Sequence, residues 1–246
     1  MNDTERHIAS AFDRDLEGIQ AQIMKMGGLV EQAIMGAAVS LETRDDELAT
    51  KVRENDRAID KMEELLNEEA ARVIALRAPT ASDLRIVLSV MRMSANLERI
   101  GDLSKNMAKR TTVLVQMQPI GSTASSLRRM AREVELMLKD ALDAYIQRDA
   151  ALAQDVIERD ADVDQMYNTL FREFLTFMLE DPRNITACMH LHFIAKNIER
   201  MGDHVTSICE QVVFLTTGQL PEETRAKLDN TSTDMGPRPD LVKDEG

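Results

Sequence analysis

Tryptophan is absent from this 246-residue chain and aromatic residues make up 3% of it, while Gly and Pro are also sparse, at 10 and 6. With so few residues that break helices or prefer strands, and with Ala, Leu, Glu, Asp, Arg and 16 Met in their place, the composition is that of a helical protein. The methionines fit as adaptable filling of a helix-lined core. Only two cysteines occur, Cys188 and Cys209, without a CxxC spacing. That excludes a disulfide framework and favours a reducing, cytoplasmic setting. No basic-then-apolar leader pattern stands at Met1–His7, and every uncharged stretch is short or broken by polar residues, so neither export by a signal peptide nor a membrane span is expected.

Basic residues are also in deficit. Thirty Lys and Arg against 43 Asp and Glu give a formal charge of -13. A nucleic-acid duplex would repel such a chain unless the cations were gathered on one face, and no sustained basic stripe is present, so direct nucleic-acid binding is excluded. There is no nucleotide-binding loop and no nucleophile paired with a base, which argues against an enzyme. A di-iron oxidase in a helical bundle would need Glu-x-x-His, and no His in the chain has a Glu three residues before it.

What the chain does have is a duplication. Asn96-Leu97-Glu98-Arg99-Ile100-Gly101-Asp102 reappears as Asn197-Ile198-Glu199-Arg200-Met201-Gly202-Asp203. Upstream, Arg44-Asp45 with Leu48, Ala49, Val52, Glu54, Asp56 and Asp60 corresponds to Arg148-Asp149 with Leu152, Ala153, Val156, Glu158, Asp160 and Asp164. Apolar residues at three-four spacing predict three helices per copy. In the first copy these run over about 3–41, 45–76 and 79–115, the second stopped at Ala78-Pro79 and the third opened by Pro79. In the second copy they run over 123–147, 149–180 and 182–216, with Asp181 capping before Pro182. The expected architecture is all-α: two tandem antiparallel three-helix bundles, residues 1–118 and 119–217, joined at Pro119-Ile120-Gly121-Ser122 and followed by a disordered acidic tail, 218–246.

The recurring acids form pairs four residues apart: Asp56 with Asp60, Glu98 with Asp102, Asp160 with Asp164 and Glu199 with Asp203. That spacing puts both carboxylates of a pair on one helical face. Many such pairs arise by chance in an acidic chain and lie on solvated surface. These, however, occupy equivalent places on the second and third helices of each copy, where an antiparallel hairpin can turn them towards each other. Converging carboxylates repel unless a cation offsets the charge, so a hard divalent or trivalent ion (magnesium, calcium, manganese or iron) is the expected guest. Gly101 and Gly202, costly inside a helix, suggest either close helix approach or room beside the carboxylates. Arg99 and Arg200 suit ion pairing with the Asp one turn on, or contact with an anion or acidic partner. His204 follows Asp203 but points away along the helix and is left outside the site. Cys188 and His192 share a face and read as core neighbours.

The doubled motif, the upstream Asp-x-x-x-Asp and the Arg77-Ala78-Pro79-x-x-x-Asp83-Leu84-Arg85 junction resemble the PhoU family of phosphate-specific transport system accessory proteins, over residues 8 to 217. The resemblance implies three-helix repeats whose acidic motifs bind multinuclear metal clusters at the surface: Asp56, Asp60, Glu98 and Asp102 in one, Asp160, Asp164, Glu199 and Asp203 in the other. It further implies a cytoplasmic homodimer that restrains phosphate uptake, reaching the membrane only through its partners. Those partners are the phosphate ABC transporter ATPase and a sensor histidine kinase, and the outcome is repression of phosphate-starvation genes. The second junction, Glu180-Asp181-Pro182, departs from the first, so the two repeats are not expected to bind a partner identically. The alternative is a helical metal-binding structural or storage protein with no part in phosphate signalling.

Overall fold

The computed structural model describes residues 3–77, 79 and 81–221, with side chains from residue 14 onward except those of Arg77 and Ala81. Of the expected tail, 218–246, the part from residue 222 lies outside what is described, as do the side chains of residues 3–13. Among the described residues six α-helices follow one another: α1 (Asp3–Thr43), α2 (Asp46–Arg77), α3 (Ala81–Leu114), α4 (Thr123–Gln147), α5 (Ala150–Glu180) and α6 (Ile185–Thr217). No strand occurs among the described residues.

Two boundaries differ from expectation. Pro79 precedes α3 and does not form its first turn. A proline has no N–H to contribute at either position, so its presence fixed where α2 must stop but not where α3 starts. In the second repeat Pro182–Asn184 is a 3-10 turn ahead of α6, and the Asp181 side chain accepts from the Arg183 N–H at 2.9 Å. The cap is therefore spent on the tighter turn, and α6 begins at Ile185 with no side-chain cap bond.

The repeated Arg-Asp dipeptide is the hairpin connecting first and second helices. Among the described residues Arg44 and Arg148 are the non-glycine residues with positive φ, at 58° and 53°. In each copy two backbone bonds close a Schellman turn: Arg44 N to Leu41 O with Asp45 N to Ser40 O, and Arg148 N to Tyr145 O with Asp149 N to Ala144 O. The following Asp opens the next helix at once. Asp45 Oδ1 accepts from Leu48 N, and Asp149 Oδ1 from Ala151 N and Leu152 N. One dipeptide thus ends one helix and starts another.

Equivalent residues fill equivalent core positions. Met26 and Met130, Val30 and Val134, and Ala37 and Ala141 are all fully buried, each apolar side chain removed from water contributing about 1.5–3 kcal/mol for the larger ones. Within a repeat the three helices pack pairwise; between repeats α1 lies on α4 and α3 on α6. Asn96 meets His204 and Arg110 meets His190, so α3 and α6 run antiparallel and the repeats face each other about a pseudo-twofold axis. The His204 Nδ1–H donates to Asn96 Oδ1 at 2.9 Å, which accounts for this histidine as an inter-repeat contact. Burial and the nearby Arg200 charge hold its pKa below the usual histidine value.

The two left-handed arginines are not equal in their side chains. Arg44 Nη2 donates to the Val115 and Met117 carbonyls at 2.7 and 2.6 Å, tying the end of α3 to the first hairpin, whereas Arg148 is exposed. Arg148→Gly should therefore raise stability by about 0.5–1 kcal/mol, because the left-handed backbone strain is relieved with nothing lost. Arg44→Gly, at the same backbone geometry, should lower it by about 1–2 kcal/mol as two charge-assisted bonds disappear. Urea unfolding of the two variants gives both signs; a stabilised Arg44→Gly would refute the capping role.

Candidate functional site

The acidic pairs come to lie along the seam between the second and third helices of each repeat. Asp56 and Asp60 of α2 face Glu98 and Asp102 of α3 closely enough that each set raises the proton affinity of the other: Asp56 feels Asp60 and Asp102, and Glu98 feels Asp102, Glu63 and Asp60. Depth differs along the seam. Asp56 is only 3% exposed, whereas Asp60, Glu98 and Asp102 are half-buried. In the second repeat Asp160 (1%), Asp164 and Glu199 are all buried, with Asp203 at the edge. The acids are therefore set into the helix seam and do not form a solvated face.

Glycine permits this closeness. A Cβ on Gly202 would stand 2.5 Å from Asp160 Oδ1, and one on Gly101 would press Ile59 at 3.0 and 3.2 Å with Asp56 Oδ1 at 3.6 Å. Both glycines bring the third helix against the second at the level of the buried aspartate, so helix approach and room beside the carboxylate are the same feature.

Two lysines occupy the seams. Lys105 Nζ donates to Asp56 Oδ2 at 2.5 Å and to Asp102 Oδ1 at 3.3 Å, linking α2 to α3. Lys196 Nζ donates to Glu199 Oε1 at 2.9 Å and lies 4.9 Å from the centroid of the Tyr167 ring. Recurrence could not reveal them, since the position equivalent to Lys105 is Thr206 and that equivalent to Lys196 is Ala95. The signal available was their three-residue spacing from Asp102 and Glu199. Arg99 pairs loosely with Glu98 (3.5 Å) and Asp102 (4.0 Å) while remaining exposed; Arg200 is exposed as well. Cys188 and Cys209 are buried free thiols, and the His192 ring sits among Tyr167, Phe171 and Phe193.

Among the described residues, no group of three His, Cys, Asp or Glu side chains stands close enough to hold a metal ion as it is. The residues nevertheless suit a hard cation. The donors are carboxylate oxygens, Asp56 Oδ1 is buried without a hydrogen-bond partner, and the space between Asp56 and Asp102 already receives a positive charge from Lys105. Burial is the main cause that raises the Asp56 and Glu98 pKa values, and for Asp56 it outweighs the opposing pull of Lys105.

The PhoU domain family matches residues 23–111 and again 127–212. The chain is 44% identical over 227 residues, 92% of its length and 96% of the relative's, to the phosphate-specific transport system accessory protein PhoU homolog of Rhizobium meliloti (strain 1021). It is 46% identical over 222 residues, 90% and 93% of the two chains, to the protein of the same description from Zymomonas mobilis subsp. mobilis. Among solved structures, PhoU from Pseudomonas aeruginosa superposes with a TM-score of 0.82 at 38% identity, covering 85% of this chain and 100% of that one. The phosphate transport system regulatory protein PhoU from Streptococcus pneumoniae gives 0.78 at 29% identity, covering 86% and 99%.

Gly202→Ala is expected to destabilise the protein by about 1–3 kcal/mol, because the new methyl overlaps the Asp160 carboxylate despite the better helix propensity of alanine. A urea midpoint equal to or above wild type would show that the seam can relax. A second expectation concerns pH. A carboxyl whose pKa is raised on folding contributes stability that is fully present below its unfolded value, ordinarily 3.8 for Asp56 and 4.5 for Glu98, and that is lost as pH rises through the higher folded value. In chelator, wild type should lose stability relative to Asp56→Asn as pH rises from about 4 to about 7. Parallel pH profiles for the two proteins would contradict this.

Proposed function

The chain belongs to the PhoU family, and on that premise we propose that it regulates phosphate transport by coupling the phosphate ABC transporter ATPase to a sensor histidine kinase. When phosphate is plentiful it restrains uptake and keeps the kinase from activating phosphate-starvation genes. The observation that carries this reading is the match of both repeats to one family, with identities of 44% and 46% to phosphate-specific transport system accessory proteins over nine-tenths of the chain or more. Regulation by docking, not catalysis, is the role, and the cytoplasm is its setting. Among the described residues no helix is long and apolar enough to cross a membrane, and on this reading the chain reaches the membrane only through its partners.

Surface chemistry supports docking. Large apolar side chains are exposed near the end of each second-to-third helix hairpin: Leu76 and Leu88 in the first repeat, Leu179 (85% exposed), Ile185, Met189 and Phe193 in the second. Leu88 and Met189 are equivalent positions. Solvated apolar groups recurring at equivalent places suit protein contact better than they suit solvent. The carboxylate seams supply the other half of the proposal. Asp56, Asp60, Glu98 and Asp102, and Asp160, Asp164, Glu199 and Asp203, would hold a hard cation when one is bound, and that ion would neutralise the seam charge. Such an ion would join the second and third helices whose ends carry the apolar side chains.

The test is alkaline phosphatase activity in phosphate-replete cells lacking the chain. Deletion should give high activity that wild type returns to a low level, and a variant with all eight acids replaced by Asn or Gln should restore repression incompletely. Low activity on deletion would remove the phosphate-signalling role and leave the metal-binding structural or storage reading.

A further inference from the structure

Each acidic seam carries a lysine that its partner repeat lacks at the same position. Lys105 follows Asp102 by three residues, and Lys196 precedes Glu199 by three. Their equivalents are Thr206 and Ala95, so duplication did not copy one lysine into both seams. Two different positions instead answer one electrostatic demand: carboxylates held together in a partly desolvated seam need a positive charge beside them. Lys105 meets the demand across the seam, its ammonium touching Asp56 of α2 and Asp102 of α3. Lys196 meets it beside Glu199, one of the most deeply buried acids of the second seam.

Both ammonium groups stand at the mouth of the seam. Lys105 is 42% exposed and Lys196 35%, so each has a flexible stem with a route to solvent, while the aspartates beneath are fixed by packing. A cation ligated by Asp56 and Asp102 would draw on the same two carboxylates that Lys105 now engages, and one ligated by Glu199 on the carboxylate that Lys196 engages. Asp56 Oδ1 is open to a metal ion while Lys105 holds Oδ2, but an ammonium and a divalent ion on one pair of carboxylates stand close enough to repel each other, so entry of the ion favours exit of the lysine. Lys196 also has a second resting place, since its Nζ already lies over the face of Tyr167.

We propose that Lys105 and Lys196 are tethered counter-cations that hold the two seams closed when no metal is bound, and that a hard divalent ion enters each seam by displacing its lysine. The proposal rests on the metal-binding part of the reading above and adds its control. Apparent metal affinity is set by competition with an intramolecular ammonium. Metal entry swings the lysine out of the seam, changing charge and contacts on the outer face of α3 and α6. Because the lysines come from different positions, the two seams need not fill at the same ion concentration.

The experiment is Mn2+ titration of the full chain, stripped with chelator, followed by calorimetry and by loss of the free Mn2+ electron paramagnetic resonance signal. Lys105→Gln and Lys196→Gln remove the competing charge from side chains that are at least a third exposed; Lys105→Arg keeps it. Circular dichroism and chelated urea midpoints establish that all three fold. Each Gln substitution should tighten one class of Mn2+ sites by about tenfold, the equivalent of ~1.4 kcal/mol, and leave the other class unchanged, whereas Lys105→Arg should bind no more tightly than wild type. Mn2+ binding by wild type that is unchanged or weakened in both Gln variants would overturn the role of the lysines and leave the metal sites standing. No Mn2+ binding by wild type or either Gln variant would overturn the lysine proposal and the metal reading together.

Discussion

Carboxylates forced together between close-packed helices set the terms for this structure. The helices approach because Gly101 and Gly202 offer no Cβ where Ile59 and Asp160 press in, and that approach puts Asp56 and Asp160 below the surface with acids on the facing helix. Like charges in a desolvated seam oppose folding, as the raised proton affinity of Asp56 and Glu98 records. A chain optimised only for stability would place apolar residues there. Retaining the acids in both copies, with a separate lysine beside each seam, is consistent with the proposed exchange of one cation for another.

The remaining architecture keeps those seams in register. The Schellman turns at Arg44 and Arg148 end the first helix of each repeat and the following Asp starts the second without a loop, fixing the height of Asp56 and Asp160 along the bundle. The antiparallel packing of α3 on α6, pinned by His204 on Asn96 and Arg110 on His190, turns the two repeats into one body. Asn96 belongs to the same heptapeptide as Glu98 and Asp102, so a single stretch of α3 serves the seam on one side and the opposite repeat on the other. A change in the seam thereby has a short mechanical route to the inter-repeat contact, through one rigid helix.

Much of this was legible in the sequence, for identifiable reasons. The duplicated heptapeptide marked the seam, and three-four periodicity marked six helices because Met26, Val30 and Ala37 and their counterparts must all face the core. The helix bounds already place Arg44 and Arg148 between helices, but not their left-handed backbone, because arginine is an unusual residue for that conformation. Prolines showed where helices stop, and gave no warning that Pro79 would stand ahead of α3 or that Pro182 would lead a 3-10 turn. Lys105 and Lys196 escaped because recurrence highlights what the copies share, and these residues solve a shared problem at unshared positions. Packing between the repeats was equally hidden: His204 and Asn96 are separated by 108 positions in the chain, and no local pattern joins them.

The differences between the repeats fall in an informative place. Seam acids and seam glycines recur, while the hairpin junctions diverge from Arg77-Ala78-Pro79 to Glu180-Asp181-Pro182, with opposite local charge and different helix starts. Under the proposed metal reading, the recurring acids suit the same kind of ion in both seams. Diverging hairpin ends, each bearing exposed apolar side chains, argue that the two ends meet different surfaces. On the proposed reading, in which the chain stands between a transporter ATPase and a sensor kinase, that combination supplies a common input to both halves and a separate output at each end.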